Sequence, residues 1–387
     1  MLTVNSPRAS RGILSAVLLV LPLSSAATPF RPTDDGQVLE HVPAGKVARI
    51  AQKAPATPEA AAALAQSYIE RARSEGDPRW LGYAQSMLRP WWNLALPPAP
   101  VLLLRATLRQ SQHDFDAALD DLGLLLKDNP RDAQAWLTRA TVLRVLGRYP
   151  EARAACARLI GLTDDFVPAL CVAAVRGLSG ELSAALVQIQ ALEAPGRARP
   201  PSLSAWYWAE YTEMLERSGA VEEAAAAYPR ALAVAPDDLG LRAAYADFLL
   251  DHGKSAEALV VVTRDDGDAR VDALRLRQLL AQQQLGRVDA SLQAAVADGF
   301  AAARQRGDSP HLREEARYVL QVRGDAAQAL SLARQNWRVQ HEPWDARLLL
   351  AAAKAAGQPA AAKTVRDWIA ATGYEDARLR PYLDAAP

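Results

Sequence analysis

The chain has little of what a catalytic or nucleic-acid-binding protein displays. It carries no formal net charge, because 44 Lys and Arg balance 44 Asp and Glu. Phosphate binding calls for a basic surplus, so nucleic acid is excluded as the main ligand. The five histidines, His41, His113, His252, His311 and His341, never pair with a second ligand at metal spacing. His341-Glu342 lacks the second histidine that a zinc-protease helix needs. No glycine-rich phosphate loop or serine elbow occurs, and Gly177-Leu178-Ser179-Gly180 is too short for one. The acidic pairs Asp120-Asp121, Asp164-Asp165, Asp237-Asp238 and Asp265-Asp266 fall at helix ends and corners, where caps and solvated faces account for them. Beyond residue 27 no run is long and apolar enough to span a bilayer, which takes about 18 residues. No catalytic residue, cofactor site or metal site is expected, and the chain reads as a non-enzyme.

What is present is a period. Glycines stand at Gly147, Gly180, Gly219, Gly253, Gly286, Gly324 and Gly357, in steps of 33, 39, 34, 33, 38 and 33 residues. Two further corners precede them, at His113 and Gly76. Each corner follows an amphipathic helical pattern, where a residue with positive φ ends a helix and glycine adopts it without penalty. Between Asp132 and Leu162 the beat is plainest. Trp136, Ala140 and Leu143 form one apolar stripe before Gly147, and Ala152, Cys156 and Leu159 form the next after it. Helical pairs this small cannot bury their stripes alone, so they must stack on neighbours.

The residues on this beat resemble the tetratricopeptide repeat, a 34-residue helix–turn–helix motif. A unit starting at Ala205 supplies Trp208, Tyr211, Leu215, Gly219, Ala224, Tyr228, Ala231 and Pro236 at the motif's large and small positions. Units from Ala99, Ala133 and Leu239 follow it closely, whereas those from Asp272, Pro310 and Pro343 keep little beyond the corner glycine and one small residue. The resemblance implies an all-α, right-handed α-solenoid of eight to nine hairpins. It also implies small residues Ala118, Ala152, Ala224 and Ala258 where the two helices of a hairpin touch.

The organisation expected is a signal peptide over 1–27, a proline-rich leader over 28–57 and a divergent capping hairpin over 58–97. Well-matched repeats follow over 98–264, degenerate ones over 265–373 and a tail over 374–387. The signal reading rests on Arg8 and Arg11 before the apolar run Gly12 to Leu23, followed by Ser24, Ser25, Ala26 and Ala27. Cleavage there places the mature chain in the periplasm or outside the cell, without stable membrane insertion; an uncleaved segment would anchor it to the inner membrane. In that oxidising setting Cys156 and Cys171, on successive helices, read either as a disulfide or as two small buried thiols. Polar insertions at Pro195–Pro201 and Asp298–Ser309 account for the two long steps.

With no chemistry in view, the functional candidate is a surface. In the resembled family the first helices of successive repeats line a concave groove that binds a protein or peptide. The matching positions here include Arg144, Trp206, Glu213, Arg217 and Asp247, with Trp206 the foremost contact residue or else packed beneath the Pro195–Pro201 loop. Six lysines and few asparagines disfavour the clamp by which some relatives hold a terminal carboxylate. The expected role is a protein–protein scaffold of the cell envelope. The alternatives are an accessory subunit of an envelope enzyme or transporter, and a glycan binder using Trp91, Trp92, Trp206 and Trp344.

Overall fold

The computed structural model describes residues 55–193, 199–264, 272–287, 289–306 and 312–383. The signal segment 1–27, the leader up to residue 54, residues 194–198 of the first insertion, Asp265-Asp266 and His311 lie outside the described residues. By its contacts the chain divides into units 1–45 and 46–387, and the second is described below.

Among the described residues that unit is helical throughout, without a strand. Nine helical hairpins follow one another: α1 (Pro58–Glu75) with α2 (Arg79–Trp92), α3 (Ala99–Ser111) with α4 (Phe115–Asp128), and α5 (Ala133–Val145) with α6 (Tyr149–Ala157). Then come α7 (Phe166–Arg176) with α8 (Leu182–Ala191), α9 (Pro201–Ser218) with α10 (Val221–Val234), and α11 (Leu239–Asp251) with α12 (Ser255–Val262). The last three are α13 (Asp272–Gln284) with α14 (Ala290–Arg306), α15 (Leu312–Gln321) with α16 (Ala326–Trp337), and α17 (Pro343–Ala355) with α18 (Lys363–Thr372). A short 3₁₀ turn, Ala377–Leu379, and α19 (Arg380–Leu383) close the described chain.

Local chemistry sets the helix ends. Thr57 Oγ1 accepts from the Ala60 amide at 3.3 Å, with Pro58 in the first helical turn. Asp132 and Asp238 cap α5 and α11 in the same way, at 2.9 and 2.8 Å. All nine corners of the sequence period have positive φ, from +60° at His113 to +83° at Gly219. His113 is the one non-glycine in that region among the described residues, and its ring stacks on Phe115 at 5.3 Å. Gly219, Gly253 and Gly286 thus mark equivalent bends.

α2 continues through Pro90 to Trp92. A proline so close to the C-terminal end forfeits little helical hydrogen bonding. As far as Arg306 the second insertion is helix where a polar loop was expected, since α14 runs to that residue without a break. Its Val296, Phe300 and Ala303 are buried at helical spacing, which holds the added turns on the stack.

Ala118, Ala152, Ala224 and Ala258 are each fully buried, at 0 % exposure. Leucine at any one of them is expected to cost about 1–3 kcal/mol by overpacking. Urea unfolding of the four single variants checks this, and four neutral results would mean that these alanines do not mark the hairpin contacts.

The first helices of successive hairpins do more than line a groove; they meet across it. Asp247 on α11 accepts from Arg277 on α13 at 2.7 Å and from Arg317 on α15 at 2.6 Å, so three hairpins converge on one carboxylate. Arg144 on α5 pairs with Glu210 on α9, two hairpins along. The C-terminal hairpin then packs back on far earlier ones. The His341 amide donates to the Val145 carbonyl at 2.8 Å, and Arg347 on α17 pairs with Asp251 on α11.

Candidate functional site

These crossings enclose a cavity of ≈ 250 Å³ between the inward ends of α5, α9, α11, α15 and α17. Its walls carry Arg144, Glu210, Glu213, Glu216, Arg313, Glu342 and Arg378 beside the apolar Leu178, Leu241 and Trp344. The charges are largely matched. Glu210 takes Arg144 and, at 3.1 Å, the Trp206 indole N–H. Glu342 takes Arg313 at 2.8 Å, and Glu216 takes Arg378 at 2.9 Å and the Tyr228 hydroxyl. Glu213 has only Arg217 Nε, 3.8 Å away.

Burial governs the titration of this site. It pushes the Glu213 and Glu216 carboxyls up, against the pull of Arg217 on the first and Arg378 on the second. Burial also works to raise Glu314, but Arg277, Arg313 and Arg317 together outweigh it and hold that carboxyl down at about 2. Asp345, buried beside Arg313, is pushed up to about 6 by burial, with Arg313 opposing and Glu342 adding. Asn336 donates to it at 2.8 Å and the Glu342 amide at 2.8 Å.

An acid whose value rises on folding stabilises the fold below its unfolded value and loses that contribution as pH climbs through the folded one. The wild type should therefore lose stability between pH about 4 and about 6 relative to Asp345→Asn. Urea midpoints across that window test the slope, and parallel profiles for the two proteins would exclude the assignment.

The groove positions read from the sequence divide into two sets. Arg144, Trp206 and Glu213 stay partly exposed at the cavity and its rim. Arg217 and Asp247 are inside, at 1 % and 3 % exposure, where no partner touches them as the molecule stands. The physical reason is the same for both: other parts of the chain already cover the concave face at these positions. Cys156 and Cys171 form a disulfide with Cα atoms 5.6 Å apart, tying α6 to α7. Trp91 and Trp92 pack on a separate N-terminal cluster with Trp80, so the four candidate tryptophans do not form one platform. Trp344 lies under the guanidinium groups of Arg317 and Arg347, each 4.6 Å from its ring.

Arg313, Glu342 and Arg378 were not singled out from the sequence, and all come from its degenerate C-terminal part. Their register is weak there, and nothing local marks a contact between Arg378 and Glu216, 162 residues apart.

The fold and its interior define an α-solenoid of the helical-repeat class. Residues 103–165, from α3 to the residue before α7, match the tetratricopeptide repeat family. No curated protein matches it. Among solved structures it is similar to a tetratricopeptide repeat protein from Parabacteroides merdae, at 15% identity over 74% of this chain and 99% of that one, with a TM-score of 0.37. It is also similar to the APC/C hetero-tetramer Cut9-Hcn1, at 13% identity over 82% and 81%, with a TM-score of 0.40. Likeness at this level carries no inference about function.

Proposed function

We propose that the chain is a non-enzymatic scaffold, exported to the cell envelope, that holds a protein or peptide partner. The observation that carries this reading is the use made of the chain's reactive side chains. Cys156 and Cys171 are consumed in a disulfide, His252 packs on Phe248 at 4.3 Å, and His341 packs on Trp337 at 4.4 Å. Groups that serve chemistry elsewhere serve packing in this protein, around a stack of the kind that presents surface. Export is supported by the disulfide, which persists in oxidising compartments, and by the amino-terminal signal pattern. Among the described residues no helix is long and apolar enough to cross a membrane. The accessible groove positions, Arg144, Trp206 and Glu213, are the proposed contacts.

The test uses the tagged full chain in the producing cell. A single protein is expected to co-purify at stoichiometric level from the envelope fraction, and to be lost with Trp206→Ala. Retardation by polysaccharide in native gels, with no protein retained, would transfer the assignment to a glycan binder. Salt-resistant membrane association of a chain that keeps residues 1–27 would replace export with anchoring.

A further inference from the structure

Where a partner segment is held follows from what the C-terminal arm, residues 373–383, now covers; this rests on the scaffold reading. The arm lies along the corners of two earlier hairpins, at Gly180 and Gly219. Just ahead of it, Trp368 on α18 meets the corner at Gly147, where a Cβ would stand 3.3 Å from its indole nitrogen. A Cβ on Gly180 would stand 3.4 Å from the Gly373 carbonyl oxygen, and one on Gly219 would stand 3.3 Å from Ala377. The arm is read by polar contacts as well. The Leu182 amide, at the start of α8, donates to Glu375 at 3.3 Å, and Arg378 pairs with Glu216 at 2.9 Å. Tyr374 and Leu379 are buried, and the Arg217 guanidinium lies 5.6 Å from the Tyr374 ring. An aromatic, a carboxylate, an arginine and a leucine are thus each placed as the anchors of a bound peptide are.

The fit is incomplete in a particular way. Eight buried side-chain atoms lack a hydrogen-bond partner among the described residues, and five are on this seam: Tyr149 Oη, Arg217 Nε and Nη2, His341 Nδ1 and Trp368 Nε1. Arg217 donates to the Gly177 carbonyl, its Nε lies 3.8 Å from Glu213, beyond hydrogen-bond reach, and its Nη2 has no hydrogen-bond partner among the described residues. Four of the five, the Tyr149 hydroxyl, the two Arg217 nitrogens and the Trp368 indole N–H, are donors, and buried donors left this way favour an occupant that brings acceptors. The closing helix is shallow too, since α18 buries only Val365.

We infer that the corner row from Gly180 to Gly219 is a peptide-binding seat that the C-terminal arm fills in the resting protein. Its partner is a protein segment with the arm's order of groups: an aromatic for Arg217, a carboxylate for the α8 amide, an arginine for Glu216 and a leucine. Such a segment displaces the arm when it also supplies acceptors to the unpaired donors.

The probe is a fluorescein-labelled synthetic peptide of residues 373–383, added to full-length protein loosened by Tyr374→Ser with Arg378→Ala. Anisotropy is expected to show micromolar binding to the loosened protein, none to the wild type at the same concentration, and at least tenfold weaker binding when Glu216→Gln is added. A loosened protein that is folded by circular dichroism and binds no peptide overturns the proposal. Dimers that exchange arms, seen by light scattering, overturn it in favour of a second copy as occupant. Should the loosened variant not fold, amide exchange in the wild type decides. Arm amides that exchange well before those of α5–α10 uphold the seat, and arm amides that exchange only with global unfolding make the arm a permanent part of the fold. Failure on any of these grounds leaves the scaffold reading standing, because co-purification with intact protein tests that separately.

Discussion

Asp247→Ala is expected to lower the unfolding free energy by about 3–5 kcal/mol, the range for breaking a buried ion pair by removing one partner. Asp247 is 3 % exposed and is the common acceptor of Arg277 and Arg317, themselves 6 % and 4 % exposed. Deleting it strands two guanidinium groups that cannot shed their protons. Glu314 remains near Arg277 at 3.1 Å and relieves one of them in part, whereas Arg317 keeps Gln321 at 3.0 Å, the face of Trp344 and the more distant charge of Glu314. The loss is felt across three hairpins, since α11, α13 and α15 meet at this carboxylate. Urea unfolding followed by far-ultraviolet circular dichroism measures it. A loss below about 1 kcal/mol would place the group in the class of solvated surface pairs and contradict the interior described above.

Removing the disulfide comes next in size. Cys156 and Cys171 are 15 residues apart, and a loop of that length lowers unfolded-chain entropy enough to be worth about 3 kcal/mol. The double variant Cys156→Ala with Cys171→Ala, or the reduced wild type, should unfold at correspondingly lower urea. Both alanines fit the space, so the comparison reports the cross-link more than lost packing. Titration of the unreduced, unfolded protein with a thiol reagent supplies the independent check. No free thiol is expected, and two free thiols would remove the bridge and with it one support for export.

The corners were legible in the sequence because their cause is local. A helix that stops where φ is positive selects glycine, and the spacing of those glycines needs no knowledge of what packs on what. The burial of the alanines at 118, 152, 224 and 258 was legible for a related reason: the repeat register turns them inward. The segment from Asp298 to Arg306 misled because composition was weighed there without neighbours. A polar run stays helical when its Phe300 and Ala303, with Val296 a turn earlier, find a core. The groove residues divide along the same line. Their inward register follows from the repeat, but a register cannot say whether inward means open groove or closed interior.

By itself the sequence determined the hairpins, their bends, their small buried residues and the face each helix turns inward. These depend on backbone conformation and side-chain volume within about 34 residues. Tertiary structure alone decided that Asp247 binds Arg317 two hairpins away, that Arg378 reaches Glu216, and that the arm from Gly373 covers the corner row. Contacts at those separations depend on the small rotation added at every repeat, which sums over the whole stack and is written in no single residue.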